Sequence, residues 1–79
     1  MARSKRLNIV GIRVREARLK RTPIMTQDQL SGKLAVLGVS IDRAGISKIE
    51  TGQRSVLDFE VKALAKALNE EAEWLLNGK

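Results

Sequence analysis

The chain has 79 residues, 43% of them hydrophobic, with 15 Lys or Arg against nine Asp or Glu for a net charge of +6. That length supports one modest core, so a single domain is expected, and the apolar share excludes general disorder, while no apolar run approaches the roughly 20 residues of a membrane span. With neither Cys nor His present, disulfides are ruled out, the commonest zinc ligands and the usual nucleophile and general base are missing, and neither an enzyme, a metal site nor a cofactor is expected.

Residues 1–8 are basic and without periodicity, which predicts a flexible N-terminal arm ahead of one folded domain over 9–79. The charge is concentrated here: residues 1–21 hold eight Lys or Arg against Glu16 alone, +7, and residues 22–79 hold seven against eight, −1. A basic end on a small domain is the footprint of a polyanion partner, nucleic acid ahead of an anionic membrane. Met1 to Ser4 lack the apolar stretch of a secretory signal, so a cytoplasmic location is expected.

Asn8 is a candidate N-cap for a first helix whose inward face is Val10, Val14 and Ala17, and which should fail near Thr22 because Pro23 disfavours helix in the residue before it. Thr26 caps a second helix. Leu30, Leu34 and Leu37 recur at amphipathic spacing there, and Gly38 stands where a left-handed C-terminal cap belongs. Asp42 caps a third, with Ile41 and Ile46 spaced as a hydrophobic staple, Ile46 and Ile49 facing inward and Gly52 as terminator. Gly45 in its first turn points to a close approach by another helix or by DNA. Asp58 is the expected cap of a fourth helix, with Val61, Leu64, Ala65 and Leu68 inward and Asn69 as its stop. A short fifth helix carries Trp74, Leu75 and Leu76 and closes at Asn77 and Gly78, Trp74 being read as core. No stretch alternates with period two, so the fold class is all-α, five short helices in a compact bundle.

Two capped helices joined by a tight connection, Thr26 to Gly52, form a helix-turn-helix pattern, in which the second helix of the pair enters the major groove. The chain resembles the lambda-repressor and Cro type of helix-turn-helix domain, also called the xenobiotic-response-element type. The resemblance covers residues 9–78. It rests on Val10 to Arg18, on Thr26-Gln27 with Leu30, on Ile46 to Gly52, on Leu64 to Leu68 and on Trp74 to Gly78.

The resemblance implies a small transcriptional regulator, a repressor, that binds double-stranded DNA with its third helix in the major groove. Because so small a binder sees few base pairs, a homodimer on a two-fold operator is expected. The resemblance further implies that Gln27 hydrogen-bonds a phosphate, that Arg43, Ala44, Ser47 and Lys48 read bases or neighbouring phosphates, and that Arg18 and Glu50 form a structural salt bridge orienting helix 3. Arg54 and the arm residues Arg3, Lys5 and Arg6 are expected on phosphates or in a minor groove. Departures from the family pattern are a first connection about two residues longer than usual and about five extra residues between Leu34 and Ile46, enough to lengthen helix 2 by a turn. Ile12 and Leu19, with Ile9, form a second apolar stripe on helix 1, covered by the arm or by another chain. The dimer surface is expected near Leu57 and helix 5. Two other readings stand beside DNA regulation: an antitoxin or accessory factor whose main partner is a protein bound through Ile12 and Leu19, and an enzyme built on Lys and carboxylates such as Asp42 or Glu50.

Overall fold

The computed structural model describes residues 5–78; Arg3, expected among the DNA contacts, lies outside the described residues. Five helices follow one another, α1 Gly11–Leu19, α2 Gln27–Val36, α3 Arg43–Thr51, α4 Asp58–Leu68 and α5 Ala72–Leu76, with no strand among the described residues. The fold is all-helical, as the periodicity predicts.

The apolar spacing explains the packing. Val14, Leu30, Leu34, Ile46, Ile49, Leu64 and Leu75 have no exposed surface, and Val10, Ala17, Met25, Ile41 and Leu68 are nearly as buried. Each large side chain of this set contributes about 1.5–3 kcal/mol through its removal from water. Around this core α1 packs on α3, α4 and α5, and α2 packs on α3 and α4. The inward residues expected from sequence are thus core residues, except that Leu37 is half-buried at the rim.

Caps set the helix ends. Thr26 and Gln29 form a reciprocal capping box at α2, with Gln29 N–H donating to Thr26 Oγ1 (3.0 Å) and Thr26 N–H to Gln29 Oε1 (2.8 Å). Gly38, Gly52 and Asn69 all have positive φ, 84°, 80° and 57°. Each closes its helix in the same way, the next residue's N–H returning to a carbonyl five positions back, as from Gln53 to Lys48 at 2.7 Å.

Three local expectations need correction. The first regular helical residue is Gly11, not a residue next to Asn8, yet Asn8 Oδ1 still accepts the Gly11 N–H at 2.7 Å, so the capping contact exists with an irregular turn between. At α4 the N-cap is Leu57, and Asp58 is the first helical residue, because Glu60 turns back to accept the Leu57 N–H at 3.0 Å. Trp74 is half-buried at the edge of the core, with Arg13 and Lys20 each in cation–π contact with its ring, 4.4 and 4.5 Å from the centroid.

The extra length between Leu34 and Ile46 does not add a turn to α2, which stops at Val36. It enters the connection, residues 37–42, where helix-turn-helix units generally use about three or four residues. Ser31 Oγ donates to the Ile41 carbonyl at 2.7 Å and pins this longer link back onto α2.

Candidate nucleic-acid interface

α3 presents two faces of opposite character. Ile46 and Ile49 are fully buried on one, and Arg43, Ala44 and Lys48 are exposed on the other, with Ser47 half-buried between them. These four residues therefore share one surface of the helix. The start of the helix is fixed by Asp42 Oδ1, which accepts the Gly45 N–H at 2.8 Å, and by Ile41, buried just ahead of the cap. Gly45 has its reason here. A Cβ at that position would stand 2.8 Å from Ile41 Cγ2 and 3.1 Å from Asp42 Oδ1, so within the protein the close approach expected at Gly45 is made by its own cap and staple and not by another helix.

Behind α3 lies a carboxylate that ties three helices together. Arg18 of α1 donates to Glu50 through Nε (2.8 Å to Oε2) and Nη2 (2.9 Å to Oε1), the two-pronged geometry a guanidinium makes with a carboxylate. Arg18 Nη1 also donates to the Met25 carbonyl at 3.0 Å. Gln27, first residue of α2, donates from Nε2 to Glu50 Oε1 at 3.1 Å. Both ionised groups are buried, the side chains being 9% and 3% exposed. The Gln27 side chain thus turns towards Glu50, while its backbone N–H, in the first turn of α2, has no partner inside the helix and points where an anion would meet the positive end of the helix dipole. An open cleft of about 460 Å³ runs here between the starts of α2 and α3, lined by Arg18, Thr26, Gln27 and Arg43 among others.

The C-terminal end of α3 is held by the chain ahead of α1. Arg6 Nη2 donates to the carbonyls of Glu50 (2.9 Å) and Ile49 (3.4 Å), and Asn8 Nδ2 donates to those of Ile49 (3.0 Å) and Arg54 (2.8 Å). Leu7 N–H adds a bond to the Gly52 carbonyl at 2.8 Å. A cation on the last carbonyls of a helix is also favoured by its dipole. Residues 6–8 are accordingly tied to α3, a correction to the reading of a flexible arm through residue 8, and Arg6 is engaged inside the protein where a phosphate contact was expected. Lys5 is exposed. Gly11 lets α1 approach closely enough for this arrangement, since a Cβ there would overlap the Ile49 carbonyl oxygen.

Arg54, also expected on phosphate, lies against Glu60, with Nη1 at 3.0 Å and Nη2 at 3.1 Å from the two carboxylate oxygens, and donates to the Ser55 carbonyl at 2.7 Å. The guanidinium beside it and the Leu57 N–H hold the Glu60 carboxyl below its ordinary value, against the opposing effect of burial. Sequence reasoning missed Glu60, whose only local signal is its place three residues after a loop residue. Arg43 Nη1 stands 4.0 Å from Asp28 Oδ2, both side chains being about 70% exposed; a pair so open to water is weak and leaves Arg43 free to be drawn elsewhere.

The two carboxylates named for an enzyme are engaged within the fold, Asp42 as a cap and Glu50 by Arg18 and Gln27. No group of His, Cys, Asp or Glu among the described residues could hold a metal ion, and no described helix is long and apolar enough to cross a membrane. Ile12 and Leu19, 40% and 37% exposed, lie two turns apart on one face of α1, on an open groove with Arg15 and Glu16.

No curated protein matches the chain closely enough to supply a named relative. The model of the helix-turn-helix family of lambda-repressor/Cro-like type matches residues 14–75, from the middle of α1 to the core leucine of α5. With most of the folded chain inside that match and α2 and α3 arranged as described, the protein belongs to this DNA-binding helix-turn-helix family.

Proposed function

We propose that the protein is a sequence-specific transcriptional regulator, a repressor, which sets α3 into the major groove of double-stranded DNA and acts by occupying its site. The observation that carries this reading is the exposed row Arg43, Ala44 and Lys48 on a helix whose two ends and back are separately fixed, by Asp42, by Arg6 with Asn8, and by Glu50. A probe read by base edges must keep its orientation, and this one is held without using its outer face. Arg43 and Lys48 suit guanine O6 and N7, Ala44 suits a thymine methyl, and the half-buried Ser47 suits a phosphate or base edge at close range. Gln27 supports the reading through its backbone N–H at the start of α2. Arg3 and Lys5 supply attraction independent of sequence, whereas Arg54 serves by shaping the loop between α3 and α4.

So small a reader spans few base pairs. A homodimer on a two-fold operator, half-sites about 34 Å apart, extends the footprint, and Leu57 at the start of α4 and Leu76 in α5, 54% and 45% exposed, are apolar side chains free to take part in it. The protein works in the cytoplasm, without cofactor or catalytic activity.

Selection of bound sites from a random duplex pool tests the proposal. A defined motif should emerge, and Arg43→Ala or Lys48→Ala should relax it at particular positions, whereas Lys5→Ala should weaken binding to all sequences and reduce the salt slope by about 0.9. Recovery of no motif, or the same uniform loss in all three variants, would overturn it. The exposed pair Ile12 and Leu19 supports a second reading, an antitoxin or accessory factor with a protein partner on α1. Under that reading Ile12→Ser with Leu19→Ser would abolish co-purification of a partner while leaving the selected motif unchanged.

A further inference from the structure

We infer that the groove between the end of α2 and the outer side of α4 docks an acidic amphipathic segment of a partner protein. Two adjoining depressions share Leu37 and Lys66 and together make one open groove. Its lining is apolar. The half-buried Leu37 and Val39 lie deepest, Phe59, one of two aromatic residues in the chain, is 56% exposed, and Val36 projects at the edge, 87% exposed. Its rim is cationic, formed by Lys33, Lys62 and Lys66.

The chemistry of the rim selects the occupant. Arg18, Lys20 and Arg54 are matched by Glu50, Glu70 and Glu60, whereas Lys33, Lys62 and Lys66, like Lys5, Arg15 and Lys48, take part in no ion pair among the described residues. What sets Lys33, Lys62 and Lys66 apart is that they stand together around one groove. Three unpaired ammonium groups around an apolar lining complement a helix that carries carboxylates beside leucine-like side chains, the helix-in-groove mode of recognition. None of Gln27, Arg43, Ala44, Ser47 or Lys48 lines the groove, and α4 packs on α1, α2 and α5. The partner would therefore be held while α3 is on DNA, and the surface is independent of the base-reading proposal.

The test is a titration of the full-length, isotope-labelled protein with a synthetic amphipathic peptide of about 18 residues, Leu on one face and Glu on the other, long enough for about 27 Å of helix. Saturable shifts should appear at the amides of residues 33–39 and 59–67, both free and with a bound duplex. A scrambled peptide of equal composition should bind at least about tenfold more weakly, as should the intact peptide to Lys62→Glu with Lys66→Glu and, separately, to Phe59→Ser. Circular dichroism and unchanged duplex binding would establish that these surface variants fold. Equal binding of the scrambled peptide, or no shifts at millimolar peptide, would overturn the inference. So would shifts at these residues on adding duplex alone, which would make the groove a nucleic-acid contact. Concentration-dependent self-association lost in Phe59→Ser would also overturn it, making a second copy the occupant.

Discussion

Glu50 accepts hydrogen bonds from two helices other than its own, so neutralising it should be felt beyond one contact. Glu50→Gln keeps the shape but leaves the buried Arg18 guanidinium without its counter-charge, and breaking such a pair from one side costs about 3–5 kcal/mol. Urea unfolding should report that loss and DNA binding should fall with it; a variant within about 1 kcal/mol of the parent would mean that Arg18 escapes to water. Glu60 makes a prediction in pH. Its folded carboxyl titrates below the ordinary 4.5 because Arg54 and the Leu57 N–H favour the charged form. Its stabilising contribution is therefore complete above that ordinary value and is lost as pH falls from there through the depressed folded one. Stability measured across this acid range should decline, and Glu60→Gln should flatten part of the decline while lowering the plateau at neutral pH. The two pairs differ in how far they can be read from sequence. Arg18 and Glu50 are 32 positions apart and become visible only through the family pattern, whereas Arg54 and Glu60 flank a loop with no period, and the Arg there reads as one more surface cation.

At the scale of elements, local signals were reliable wherever one residue type satisfies a backbone need by itself. Thr26 and Asp42 accept N–H groups that a helix start leaves unpaired, and Gly52 and Asn69 adopt the left-handed geometry that a stop requires. Reliability failed where a cap depends on a neighbour's side chain. Leu57 caps α4 only because Glu60 turns back to it, and Asn8 caps α1 across an irregular turn because its amide is also held by α3 and Arg54. The segment before α1 belongs to the same class: its charges suggest an arm, yet the carbonyl row ending α3 draws Arg6 inward. Arg6→Ala should accordingly lower stability by about 1–2 kcal/mol, the worth of a charged donor on carbonyls at a helix end. It should leave the salt slope of DNA binding unchanged, and calorimetry with binding at two salt concentrations separates the effects. Unchanged stability with a slope reduced by about 0.9 would make Arg6 a phosphate contact after all.

Across the whole molecule, the polarity of charge along the chain turns out to serve the fold as well as any partner. The basic first quarter meets the acidic remainder through Arg18 on Glu50 and Lys20 on Glu70, Arg13 and Lys20 cover Trp74, and Arg6 and Arg21 bind carbonyls at the ends of α3 and α4. Of the eight cations in residues 1–21, five are so engaged. A count from sequence would let all of the N-terminal excess neutralise phosphates and predict a slope of log K against log salt near −6 per chain, at about −0.9 for each phosphate. Among the described residues Lys5, Arg43 and Lys48 are exposed, and with Arg3 expected beside them about four phosphates would be neutralised, so the expected slope is nearer −4 per chain. Fluorescence anisotropy with a labelled operator at several salt concentrations measures it directly. A slope close to −6 would mean that further cations meet the duplex, either the exposed Arg15, Lys33, Lys62 and Lys66 or Lys20 and Arg21 released from Glu70 and the Leu68 carbonyl. The slopes of Lys62→Glu with Lys66→Glu and of Lys20→Ala separate the two.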